Sequence, residues 1–179
     1  MRQALLVIDM QTCFFAEEPY PFEANEVIVR INALAQAARK ASVPVIWVQQ
    51  ENPSAGLPFE SQAWQLEPRL KPSLDDQRLR KSTPDAFLRT AFDGSLKAQG
   101  IEQLVICGYA TEGCVDTTTR RAMSLGYSVL LVSDAHTTLD KPYASGKTIR
   151  EHHNATLAGL RSFGPSTIPV LSSDLRFGT

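Results

Sequence analysis

Leu104-Val-Ile-Cys-Gly-Tyr-Ala-Thr-Glu-Gly-Cys-Val115 is the stretch around which the chain is organised. Leu104 to Cys107 is apolar and rich in β-branched residues, the pattern of a strand buried on both faces. Gly108 ends that run, and small or polar residues carry the chain to Cys114. From there Val115, Ala122, Met123 and Leu125 recur at helical spacing. Cys114 therefore falls at the first turn of a helix that follows a buried strand. Amides at such a turn lack partners within the helix, and the local dipole favours negative charge. A thiol placed there is expected to have a lowered pKa and to act as a nucleophile.

Working outward, Ala4 to Asp9 is another continuous apolar run, ending in a carboxylate. Asn25 is expected to cap a helix reaching about Ala41, with Val27, Ile28, Ile31, Leu34, Ala35 and Ala38 on its apolar face. Val43 to Gln49 reads as the second strand and Gln77 to Lys81 as a short third. Between them, Pro53, Pro58, Pro68 and Pro72 exclude long helices from Glu51–Asp76, so this stretch reads as a functional loop or contact surface. Phe87 to Gln99 reads as helix, with a break near Asp93-Gly94. Tyr127 to Ser133 is the next strand, with Asp134 opening a loop; Gly146 to Leu160 is a helix and Thr167 to Leu171 the last strand. This alternation predicts one α/β domain over residues 1–179, a three-layer α-β-α sandwich on a central, mainly parallel six-stranded sheet.

Bulk properties narrow the classes of function. With 18 Lys plus Arg against 19 Asp plus Glu, the formal charge is −1, which gives no reason to propose nucleic acid or an anionic membrane as partner. No apolar run approaches the roughly 20 residues of a membrane span, and the N-terminus lacks a signal-peptide layout, so the expected location is cytoplasmic. The three cysteines, Cys13, Cys107 and Cys114, are too few and too scattered for a disulfide framework. Cys107 lies inside its apolar strand and is assigned to the core; Cys13, close to Asp9, is read as pocket wall. His152 and His153 are adjacent on a helix and point about 100° apart, so they do not converge on one ion. They are read as surface or interface residues, and His136 as non-catalytic.

In open α/β sheets, ligands bind beyond the carboxyl ends of the strands. Asp9, Lys81 and Cys114 all lie there, and their order and surroundings resemble the isochorismatase-like cysteine hydrolases. Ala4-Leu-Leu-Val-Ile-Asp9-Met-Gln11 resembles the first strand of that family, and Lys81-Ser-Thr-Pro-Asp-Ala-Phe87 its lysine segment, with Asp85 where the family usually has Ser. Gly108-Tyr-Ala-Thr-Glu-Gly-Cys114-Val resembles its nucleophile loop and Ser133-Asp-Ala-His-Thr137 the loop after the next strand.

The resemblance implies hydrolysis of a C–N bond in a small amide, ureide or carbamoyl substrate by a Cys-Asp-Lys triad. Cys114 would attack the carbonyl carbon, Asp9 would serve as base and then acid, and Lys81 would favour the ionised forms of both. In the family the bond corresponding to Tyr109–Ala110 is cis and turns the next amide inward. Ala110 and Cys114 would then supply the oxyanion hole. Gln11, Phe14, Phe15, Trp47, Gln49 and Tyr109 are the candidate substrate-binding walls. The nicotinamidase branch holds a divalent metal through an Asp and two His residues after the second strand. Here Gln49-Gln50-Glu51 and the loop beyond offer no His, and no Asp before Asp75, so no metal and no other cofactor are expected. The resemblance also implies a homodimer or homotetramer. Two alternatives stand beside this reading: isochorismatase-type hydrolysis of another small metabolite, and a thiol redox or sensing protein built on Cys114.

Overall fold

The computed structural model describes residues 1–178. Six strands form one parallel sheet: β1 (Gln3–Ile8), β2 (Val45–Gln50), β3 (Gln77–Lys81), β4 (Gln103–Tyr109), β5 (Ser128–Thr137) and β6 (Thr167–Val170), in the order β3-β2-β1-β4-β5-β6. Helices α1 (Ala24–Lys40), α2 (Phe92–Ala98), α3 (Asp116–Ser124) and α4 (Gly146–Gly159) fill the crossovers. β1 and β4 are buried at every residue because both faces of the sheet are covered. Leu5 and Val7 face α1, packing with Ile31, Leu34 and Trp47. Ala4, Leu6 and Ile8 face the other layer, where Phe92, Leu96, Met123 and Leu157 come from α2, α3 and α4. The predicted three-layer sandwich is the fold. None of the helices among the described residues is long and apolar enough to cross a membrane.

The chain leaves β1 toward β2 on one side and reaches β4 on the other, so the strand order reverses between β1 and β4. That reversal opens a crevice at the carboxyl ends of the two strands, where ligands bind in open α/β sheets. Gly108 makes the close approach possible. It pairs with Ile8 and has φ of +122°, and a Cβ there would lie 2.1 Å from the Ile8 carbonyl oxygen. No side chain fits.

Several element boundaries differ from expectation for local reasons. Asn25 does not cap α1; the cap is Glu23, at φ of +50°, and Asn25 Oδ1 accepts from Arg69 instead. The helix predicted from Phe87 begins at Phe92, because Asp85 Oδ1 takes the Phe87 N–H (2.7 Å) and Thr90 Oγ1 donates to the Ala86 carbonyl. Asp93 and Gly94 then lie inside the helix rather than breaking it. β5 runs on to Thr137, past the expected stop at Asp134, by a bulge: Ile106 pairs with Leu131, whereas Gly108 pairs with His136. The Glu51–Asp76 stretch holds only a 3-10 turn at Pro53–Ala55 and isolated bridges, as its prolines require.

Candidate active site

The ends of β1, β3 and β4 converge at the crevice, with β2 between β3 and β1. β1 ends at Ile8, and Asp9 follows with φ of +47°, a left-handed turn that Asp tolerates better than most residues. β3 ends at Lys81, which pairs in register with Gln50 at the end of β2. The segment after β4 contains the Tyr109–Ala110 cis peptide and a single wide π-turn, Thr111–Val115, before α3 begins. Gly113, with φ −109° and ψ −106°, breaks that turn just before Cys114. The nucleophile candidate thus sits on a kink ahead of the helix rather than in its first turn.

Lys81 brings the parts together. Its side chain has no solvent exposure, and Nζ donates to Asp9 Oδ2 at 2.7 Å, to Gln50 Oε1 at 2.7 Å and to Cys114 Sγ at 3.2 Å. A lysine ammonium has three N–H bonds, and all three are used. Asp9 is 1% exposed, and its second oxygen, Oδ1, has no hydrogen-bond partner among the described residues. That leaves one buried carboxylate oxygen free to accept a proton beside the thiol.

The electrostatics correct one expectation. Burial pushes the Cys114 thiol up to about 12, the Asp9 charge adds to this, and the Lys81 charge opposes it. Burial outweighs the favourable Lys81 charge, and this favours the thiol form at rest. Asp9 is also raised by burial, while the Lys81 charge beside it pulls it back. A neutral thiol beside a carboxylate of raised pKa suits proton transfer concerted with attack.

The expected walls divide into two groups. Phe14 stacks on Tyr109 with ring centroids 4.7 Å apart, and Phe15 meets the same ring edge-on at 5.8 Å. These three aromatics form a wall beside the cis peptide. Trp47 does not belong to it. It is fully buried against the α1 layer, and its Nε1–H donates to Asp76 Oδ2 at 2.7 Å, in the residue just before β3. Since β2 and β3 are parallel, that contact points toward the amino-terminal side of the strands, away from the crevice. Gln49 is 1% exposed and has both ends of its amide engaged, donating to the Trp64 carbonyl and accepting from Arg78. Gln11 is fully buried and equally committed, to Gln50 and to the Trp64 carbonyl. Both brace the 61–66 segment instead of facing a substrate.

Gln50 is the site residue that sequence reading missed. The available signal was its place at the end of a strand adjacent to Lys81. Behind the nucleophile loop, His136 is fully buried. Asn154 Nδ2 donates to the Ser133 carbonyl, so Asn154 Oδ1 accepts from His136 Nε2 at 2.9 Å, leaving Nδ1 to accept from Thr111 Oγ1 at 2.9 Å. Burial lowers this imidazole to about 4 and keeps it neutral. Cys107 is core, with burial raising its thiol far above the usual range. Cys13 is exposed on a 3-10 turn whose backbone is tied to Ala63. His153 Nδ1 donates to the Ile149 carbonyl and His152 pairs with Thr156, so the two rings have separate partners. Asp85, where the resemblance leads one to expect Ser, accepts the Phe87 N–H through Oδ1.

Comparison with known proteins adds an independent line. Residues 3–173 match the isochorismatase domain family. A streptothricin hydrolase of Streptomyces noursei is 36% identical over 79% of this chain, which spans 52% of that protein's length. A ureidoacrylate amidohydrolase of Pseudomonas savastanoi pv. phaseolicola is 31% identical, covering 74% of this chain and 69% of its own. A solved isochorismatase family protein superposes with a TM-score of 0.87 at 33% identity, covering 94% of this chain and 98% of its own.

Proposed function

Since the chain belongs to the isochorismatase family, we propose that it hydrolyses the C–N bond of a small amide, ureide or carbamoyl compound through Cys114, Asp9 and Lys81. The observation that carries this reading is the position of Lys81 Nζ, 2.7 Å from Asp9 Oδ2 and 3.2 Å from Cys114 Sγ, in a site closed to water on the lysine side. The relatives named as hydrolase and amidohydrolase support the same class of reaction.

In this mechanism Cys114 Sγ bonds to the substrate carbonyl carbon as its proton passes to Asp9. The carbonyl oxygen takes the negative charge, with the Ala110 and Cys114 amides as its donors. Asp9 returns the proton to the substrate nitrogen, the C–N bond breaks, and ammonia or an amine leaves a thioester on Cys114. Water then attacks the thioester and gives its proton to Asp9, which passes it to the departing sulfur. Lys81 stays an ammonium throughout, opposing the charge on whichever neighbour holds it. The reaction needs no redox step. The half-buried Phe14 ring, backed by Tyr109 and Phe15, offers an apolar surface to the part of the substrate that does not react.

The test is an ammonia-release screen over small amides, ureides and carbamoyl acids, with Cys114→Ala as control. Turnover by the wild type and none by the variant is expected. Equal release by both proteins overturns the assignment of the nucleophile. A second measurement follows labelling of Cys114 by iodoacetamide: Asp9→Asn should slow it by about 10²-fold or more, the range for loss of a general base. Unchanged labelling removes Asp9 from the mechanism.

A further inference from the structure

Lys81 is held by a residue that carries no charge. Of its three acceptors, Asp9 and Cys114 exchange a proton during the proposed reaction, and only Gln50 Oε1, at 2.7 Å, stays constant through the cycle. The Gln50 side chain has little freedom to turn away, because its Nε2 donates to the Glu51 carbonyl at 3.1 Å. Its backbone is clamped as well. The Gln11 amide accepts from the Gln50 N–H at 2.8 Å and donates to the Gln50 carbonyl at 2.9 Å, and the Gln11 N–H itself donates to the Asp9 carbonyl at 2.9 Å. Only an oxygen can accept from the Gln50 N–H, so the orientation of the Gln11 amide is determined. One buried glutamine thus ties the turn carrying Asp9 to the strand end carrying Gln50, and Gln50 ties that strand end to Lys81.

We infer that Gln50 is a positioning residue for the Cys114–Asp9 proton transfer. It anchors the Lys81 ammonium between the two groups without adding a charge of its own, and Gln11 is the brace that fixes Gln50. An amide oxygen is the fitting partner here for a physical reason. A carboxylate would hold the lysine as firmly, but would bring a second negative charge close to Asp9 and the sulfur, disfavouring both ionised forms. An apolar side chain would leave a buried ammonium N–H without an acceptor, and the cation would lose its fixed place. This inference rests on the Cys114–Asp9–Lys81 reading.

The experiment measures the rate of Cys114 alkylation by iodoacetamide between pH 4 and 9 in wild type, Asp9→Asn, Gln50→Glu and Gln50→Met, with far-UV circular dichroism as the check on folding. In wild type, alkylation should fall at low pH as Asp9 takes up a proton. In Gln50→Glu the acid limb should move to higher pH by about one unit, since the added carboxylate favours protonated Asp9. Gln50→Met should shift it in the same direction by less and lower the plateau about tenfold, as expected when a catalytic group loses its positioning. Gln50→Glu keeps both size and acceptor, so a shift in that variant reports charge beside Lys81 rather than lost packing. Acid limbs that superimpose on wild type in both folded variants overturn the role of Gln50 while leaving the triad intact. An acid limb unaffected by Asp9→Asn overturns the triad, and this inference with it.

Discussion

Two buried polar clusters flank the nucleophile loop, and they are built to opposite rules. On one side lie Asp9, Lys81 and Cys114, with an ion pair at 2.7 Å and one carboxylate oxygen, Asp9 Oδ1, without a hydrogen-bond partner among the described residues. On the other lie His136, Thr111 and Asn154, all neutral, with both ring nitrogens engaged at 2.9 Å. Both hold the same segment, since Thr111 and Cys114 belong to one π-turn. A fully satisfied neutral cluster fixes geometry and has nothing left to exchange. A charged cluster with an unmet valence can move a proton. In the proposed reaction this difference separates scaffold from chemistry more cleanly than residue type does, because histidine, the usual catalytic suspect, is on the scaffold side.

The largest effect that could break this comparison is chemical. Asp9→Asn keeps shape and removes the acceptor charge, so kcat/KM on any substrate found by the screen should fall by about 10²–10⁴-fold, the range for general acid–base catalysis. His136→Gln should change it far less, since the ring does not touch the reacting atoms. Equal losses in the two variants would mean that the clusters do not divide the work as described.

Next in size is the ion pair. Lys81→Met leaves a buried carboxylate without its counter-charge, and breaking one partner of a buried pair costs about 3–5 kcal/mol. The pH dependence carries the sign. The folded-state pKa of Asp9 is already raised by burial and rises further without Lys81. An acid with a raised folded pKa favours folding below its unfolded value and loses that contribution as pH climbs toward the folded value. The variant should therefore be most destabilised relative to wild type near neutral pH and least near pH 4, by urea denaturation at both. A deficit that does not change with pH would place the cost in packing rather than charge.

The neutral cluster should respond in the opposite direction. His136 is lowered from 6.5 to about 4 in the fold, so its contribution is complete above 6.5 and is lost as pH falls toward 4. For one buried group this is about 3 kcal/mol, because each tenfold change in proton affinity corresponds to about 1.4 kcal/mol. The stability of wild type relative to His136→Gln should decline by that order between pH 6.5 and 4. A constant difference would show that the imidazole is not held neutral by burial.

How much of this is legible in the sequence follows from the same physics. β1 and β4 are readable because strands covered on both faces show unbroken apolar runs, and the three reactive residues because each lies at or just past a strand end. Helix α2 starts five residues later than periodicity predicts: Asp85 and Thr90 redirect the chain through side-chain hydrogen bonds that periodicity does not register. The helix dipole alone predicts a lowered thiol pKa, whereas burial dominates at Cys114. Gln11 and Gln49 resemble walls in the sequence because position along a strand end gives no account of where an amide spends its hydrogen bonds. Gln50 escapes notice for the same reason.

Trp47 gives the smallest and most local test of where the site ends. Its indole N–H reaches Asp76, whose carboxylate also binds Arg39 at 2.6 Å and the Ser73 N–H at 2.8 Å. Burial pushes Asp76 up, but these hydrogen bonds outweigh it and hold the carboxyl below its ordinary range. Arg39 Nε adds a fourth hydrogen bond at 2.9 Å, so Trp47→Phe removes one of four and keeps an aromatic ring in the α1 layer. A hydrogen bond to a charged group contributes about 1.5–3 kcal/mol; three others, from Arg39 and Ser73, remain on Asp76, so the loss should lie near the lower end. Turnover should stay within about twofold of wild type, because the ring lies among core residues of the α1 layer and its polar contact is away from the crevice. A change confined to KM would return Trp47 to the substrate wall, and the boundary of the site would move down β2 with it.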